Sequence, residues 1–206
     1  MRIRDIKWTA YVLIGICLVL VGWLYLPIFK WWFDKWWADE SYYSHGILIP
    51  PISLFIVWLK REKLGETAIK AQPRGYLVVV PVLAAVVLAY WAGPNSIVGL
   101  TFPMLIGGLV LLLLGSQMAR ELAFPIGYLY FMCVLPGLVL VMASFRIQML
   151  SVAGATTLLQ ALTLDAYHQG ATIMLPKATV LVGAPCSGIR MLISLFAFAV
   201  LFAYLK

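Results

Sequence analysis

Polar residues along this chain are gathered into short islands between long apolar stretches. Six apolar runs result: Trp8–Phe29, Gly46–Leu59, Tyr76–Ala92, Ile97–Gly115, Leu122–Ala143 and Cys186–Leu205. A bilayer-crossing helix needs roughly 20 apolar residues. Four of the runs reach that length alone, while Tyr76–Ala92 is slightly short and Gly46–Leu59 shorter still. Tilt, flanking residues or local thinning accommodate such lengths. Arg190 is the one charged side chain inside any run. The pattern predicts an all-α membrane protein of about six transmembrane helices, a single transmembrane domain over residues 1–206.

Composition points the same way. Of 206 residues 64% are hydrophobic and 11% charged, with mean hydropathy +0.98. Soluble domains carry about 45–50% apolar and about 25% charged residues. Fifteen Lys and Arg against eight Asp and Glu leave a net charge of +7. In a membrane chain that excess describes loop asymmetry, and nucleic-acid binding is set aside. Arg2, Arg4 and Lys7 ahead of the first run resemble a signal-peptide start. The run's 22 residues, without a clear small-x-small cleavage site, predict a retained helix.

Counted over alternate loops, Lys and Arg number ten on one side and four on the other, Arg190 standing apart. The positive-inside rule then predicts an inner (cytoplasmic) membrane protein with both termini cytoplasmic. Two outer segments are more than loops. Lys30–Tyr43 carries four Trp and two Tyr among charges and suits the interface. Within Ser144–Pro185, residues 144–164 read as a weakly polar interfacial helix. Residues 171–185 alternate apolar and β-branched positions around Pro176-Lys177, as a short hairpin packed on the helices would.

The sharpest chemistry lies in Ala184-Pro185-Cys186-Ser187-Gly188-Ile189-Arg190. Pro185 suits the start of a helix, placing Cys186 in its first turn at the outer surface. Unpaired N–H groups and the positive dipole end there favour a thiolate. Arg190, four residues on, would lower the thiol pKa further or hold an oxyanion. The plainer alternative is a buried Cys followed by an Arg that snorkels to the headgroups. The two histidines, His45 and His168, fall on the same side as Cys186. An interfacial role suits His168, while His45 stays open between that and a base. Cys17 and Cys133 read as packing residues, and three cysteines outline no disulfide framework. Pro103, Pro125 and Pro136 read as kinks inside helices. No metal-ligand spacing, phosphate-cradling glycine loop or cofactor motif is present, and without spaced intramembrane carboxylates an ion-coupled transporter has little support.

Tyr43-Ser44-His45-Gly46-Ile47-Leu48-Ile49-Pro50-Pro51-Ile52-Ser53, followed by Trp58 and Lys60-Arg61, resembles the amino-terminal block of the exosortase/archaeosortase family. Phe124-Pro125, Phe131-Met132 and Leu135-Pro136 resemble its middle block, and Gly183 to Arg190 its Cys-Ser-Gly-x-Arg motif. The resemblance runs from about Trp36 to the last residue. It implies a polytopic membrane cysteine protease/transpeptidase acting outside the cytoplasm on carboxy-terminal sorting tails of exported proteins. Such tails join a short Pro-containing motif to a transmembrane helix and a basic end. Cleavage would pass through a cysteine thioester and deliver the protein to a lipid- or polysaccharide-linked acceptor, in bacteria often beside exopolysaccharide production. Cys186 would be the nucleophile and Arg190 part of its motif. Membrane lipids are the other expected partners.

The family's later Arg, in an Asn-x-x-Arg segment, and a further His or Arg have no counterpart in the sixteen residues after Arg190. The chain therefore reads as a carboxy-terminally truncated exosortase, and His45 and His168 do not inherit that family position. Two rivals stay open. One is a non-catalytic scaffold that binds an exported protein's helix; the other is a small-molecule or lipid-linked-sugar transporter.

Overall fold

A computed structural model describes the chain outside residues 1–7, 39–40, 94, 163–164, 177 and 184–187. It is mostly helical and divides into two compact units, Met1–Leu135 and Pro136–Lys206. Among the described residues four helices are long and apolar enough to cross a membrane. They are α1 (Trp8–Trp37), α4 (Tyr76–Ala92, with the turn Pro73–Gly75 before it), α5 (Asn95–Leu113) and α8 (Gly137–Ala161). Shorter apolar segments occupy Ser44–Leu59, Ala123–Met132 and Ile189–Leu205. The chain is thus a multi-pass membrane protein.

In the first unit α1 runs on past the expected end at Phe29, so Lys30–Trp37 is helix rather than a separate interfacial strip. The reason is helical spacing. Tyr25, Phe29, Trp32 and Trp36 fall on one stripe, while Lys30, Asp34 and Lys35 lie on exposed positions. The stripe packs on α5: Tyr25 shares a 2.7 Å hydrogen bond with Thr101, and the rings of Phe29 and Trp32 meet Phe102 edge-on. Trp32 and Trp36 stack at 6.0 Å. After α1 come a 3₁₀ turn (Ser44–Leu48), α2 (Ile49–Leu59) and α3 (Arg61–Glu66).

The expected single span Leu122–Ala143 is divided. After a short connection, α6 (Ser116–Glu121), it becomes α7 (Ala123–Tyr128), a 3₁₀ turn (Leu129–Met132), an extended stretch and only then α8. Cys133 sits at ψ 131° and Pro136 at φ −54°, ψ 134°. Proline lacks an N–H, and it pushes the preceding residue out of the helical region. Pro136 therefore separates two elements where a kink was expected, whereas Pro103 and Pro125 lie within α5 and α7.

In the second unit the residues expected to form an interfacial helix from Ser144 are the continuation of α8. Ser151, Thr156 and Thr157 each donate their hydroxyl to the carbonyl four residues back, which lets an apolar helix carry them. The expected hairpin is present as β2 (Thr172–Leu175) paired with β3 (Ala178–Leu181). A further strand, β1 (Tyr167–Gln169), joins β2, so the sheet has three antiparallel strands in the order β1-β2-β3. Gly170, left-handed at φ 58°, turns β1 into β2. Buried Ile173 and Ala166, and Gln160 bonded to the Ala166 carbonyl at 2.8 Å, fasten the sheet to α8. α9 (Ile189–Leu205) closes the unit.

Candidate functional site

The block Tyr43–Ser53 and residues Phe124–Leu135, distant in sequence, are one packed body in the first unit. They run antiparallel. At one end Lys60 Nζ donates to the Glu121 carbonyl at 2.9 Å and pairs with its carboxylate at 3.3 Å. Midway, the Ser53 hydroxyl donates to the Pro125 carbonyl at 2.9 Å. At the other end the Leu135 N–H donates to the Tyr43 hydroxyl at 3.0 Å.

His45 stands at that last end, within the 3₁₀ turn, 7% exposed and with its ring centroid 6.3 Å from that of Tyr43. A hydrogen bond with the Phe131 backbone orients the imidazole. The next residue must be glycine, because a Cβ on Gly46 would overlap the Trp36 indole. That indole in turn donates to the Met132 carbonyl at 3.3 Å. Trp36 and Tyr43 thus satisfy two backbone groups that the break before Pro136 leaves outside a helix, as an apolar setting requires.

Cys133 belongs to the same body and is a packing residue. It is 1% exposed, its thiol donates to the Gly99 carbonyl at 3.4 Å, and burial pushes its pKa up to about 12. Such a thiol is not a nucleophile at neutral pH.

In the second unit Arg190 is the second residue of α9 and is exposed. The helix begins at Ile189 because Gly188 is left-handed at φ 66°, a conformation glycine adopts without cost. Regular helical spacing therefore does not extend back through Gly188. Cys186, expected in a first helical turn, lies outside the described residues. His168 is exposed on β1, opposite Ile173. Among the described residues no group of three His, Cys, Asp or Glu could hold a metal ion.

The structure brings His45 together with Trp36, Tyr43 and Phe131, of which only His45 stands out from the sequence as a candidate. Trp36 and Tyr43 carry no spacing signal of their own, since the partners they hold lie 96 and 92 residues further on.

A family model, that of the transmembrane exosortases, matches residues 36–206. No curated protein and no solved structure matches the chain.

Proposed function

The chain belongs to the transmembrane exosortase family, and from that membership we propose that it is a membrane-embedded cysteine protease/transpeptidase for carboxy-terminal sorting tails of exported proteins. The observation that carries the reading is the extent of the match: residues 36–206 include the Tyr43–Ser53 block, the Phe124–Pro136 block and both Cys186 and Arg190.

In this reading the Cys186 thiolate adds to the scissile carbonyl, and Arg190 supplies the cation that stabilises the charge developing on oxygen. Collapse of that adduct breaks the C–N bond and leaves a thioester; the departing amine takes a proton. Water, or an amine or hydroxyl of a lipid- or polysaccharide-linked acceptor, then displaces the thiol. His45 is the base we assign to the proton transfers.

The topology we propose has six crossings: α1, Ser44–Leu59, α4, α5, the divided run opened by Ala123–Met132, and α9. The antiparallel pairing of Ser44–Leu59 with Ala123–Met132 supports it, as does the gathering of Lys60, Arg61, Lys63, Lys70 and Arg74 in one connection. Both termini are then cytoplasmic in the inner membrane, and Cys186 faces outward.

The test expresses the chain with an exported reporter bearing such a tail. Loss of the tail and a hydroxylamine-sensitive reporter adduct are expected, both abolished by Cys186→Ala. Arg190→Ala is expected to slow processing by about 10²–10³-fold. Processing that survives Cys186→Ala would sink the proposal; reporter binding without cleavage would put the scaffold in its place.

A further inference from the structure

Between α1, α2, α5 and α7 the first unit holds an open cleft of about 570 Å³. Its walls include Trp36, Ile47, Val57, Phe102 and Leu122, and its one aliphatic hydroxyl, Ser53, is already committed to the Pro125 carbonyl. From Ile47 in the 3₁₀ turn to Val57 in α2 the cleft extends about 15 Å at roughly 1.5 Å per residue.

The Val57–Leu122 end of the cleft meets a cluster of cations. Glu121, next to Leu122, holds Lys63 Nζ at 2.8 Å and Lys60 Nζ at 3.3 Å. One turn past Val57 the Arg61 guanidinium lies 4.4 Å above the Trp58 ring, and Trp58 stacks on Phe55 at 5.9 Å. Phe55, Trp58 and Arg61 are all exposed, forming a ladder from hydrocarbon through aromatic to cation. Arg61 spends one of its five N–H donors on the Trp58 carbonyl, and its ion pair with exposed Glu62 spans 4.0 Å. With Arg120, residues 60–66 and 120–121 carry four bases against three acids, Glu62, Glu66 and Glu121.

We propose that the cleft holds one acyl chain of an anionic membrane phospholipid whose phosphate is received by Arg61 and Lys63. Charge complementarity selects the headgroup, since guanidinium and ammonium donors suit a phosphate and a zwitterionic head adds a cation that opposes them. The apolar lining suits the chain, since its one aliphatic hydroxyl is already committed to the Pro125 carbonyl. The inference is independent of the protease reading.

The purified chain in detergent is titrated with dioleoyl phosphatidylglycerol or dioleoyl phosphatidylcholine, and bound lipid is counted by native mass spectrometry. The expected result is one retained lipid with preference for phosphatidylglycerol, and no competition by glycerol phosphate, which has the head without the chain. Arg61→Gln lowers that preference about fivefold. Leu54→Trp, at an exposed lining position, fills the cleft and lowers retention of both lipids. Equal retention of the two lipids, an unchanged preference in Arg61→Gln, undiminished retention in Leu54→Trp, or displacement by glycerol phosphate would each overturn the proposal.

Discussion

The indole N–H of Trp36 donates to the carbonyl oxygen of Met132 at 3.3 Å, joining the end of α1 to the last helical residue before the chain breaks toward Pro136. One ring does two things here: it satisfies a buried carbonyl and it covers Gly46, the residue after His45. Trp36→Phe keeps the cover and removes the donor. It is expected to cost about 1–3 kcal/mol, the penalty of an unsatisfied buried acceptor, measured by thermal unfolding in detergent.

Gly46→Ala presses a methyl group into the Trp36 ring. Overpacking of this kind costs about 1–3 kcal/mol. Because the indole is the obstacle, Trp36→Leu in the same chain should absorb part of the loss. A double-mutant cycle with coupling of about 0.5 kcal/mol or more is expected. Strict additivity would show that the two residues do not meet.

Tyr43→Phe removes the acceptor of the Leu135 N–H, a bond of 3.0 Å. The expected loss is about 1–3 kcal/mol. Hydrogen exchange at the Leu135 amide checks it site by site: protection present in the parent chain should fall in the variant, while amides within α5 keep theirs.

One paired group sets a pH dependence of stability. Glu121 is held below its ordinary 4.5 by its hydrogen bond with Lys63, opposed by desolvation and aided by Lys60. That contribution is present above 4.5 and disappears as the pH falls through the folded value. Melting temperature should therefore decline as the pH falls below 4.5, and Glu121→Gln should remove that decline. A decline unchanged in Glu121→Gln would contradict the pairing of Glu121 with Lys63.

Cys133 should resist maleimide in the folded chain over the whole range from pH 7 to 9 and react at once after unfolding in SDS, as a buried thiol with its pKa near 12 requires. Labelling of Cys186 can then be followed without replacing Cys133. Labelling of Cys186 that slows in Arg190→Ala would match a cation that steadies its thiolate.

Much of the architecture is local and so is legible in the residues. Bilayer thickness demands long apolar helices, and α1, α4 and α5 follow from uninterrupted runs. Alternation around Pro176-Lys177 carries the pairing of β2 with β3, and the two flanking blocks and the Cys-Ser-Gly-x-Arg motif carry the family. Local pattern failed where one residue's conformation depends on a distant partner. Leu122–Ala143 is apolar throughout, and Pro136 alone cannot say whether a helix bends or ends. It ends because Trp36 and Tyr43, about a hundred residues earlier, receive the backbone groups that the break sets free. Likewise Lys30–Trp37 reads as an interfacial strip until Phe102 and Thr101 of α5 supply the surface that its aromatic stripe buries against. Sequence by itself determined that the chain lives in a membrane and which family it joins, because hydropathy and motifs are written residue by residue. Tertiary structure decided that the surroundings of His45 are assembled from three separate stretches, because a buried polar atom must find a partner and that partner is chosen in space.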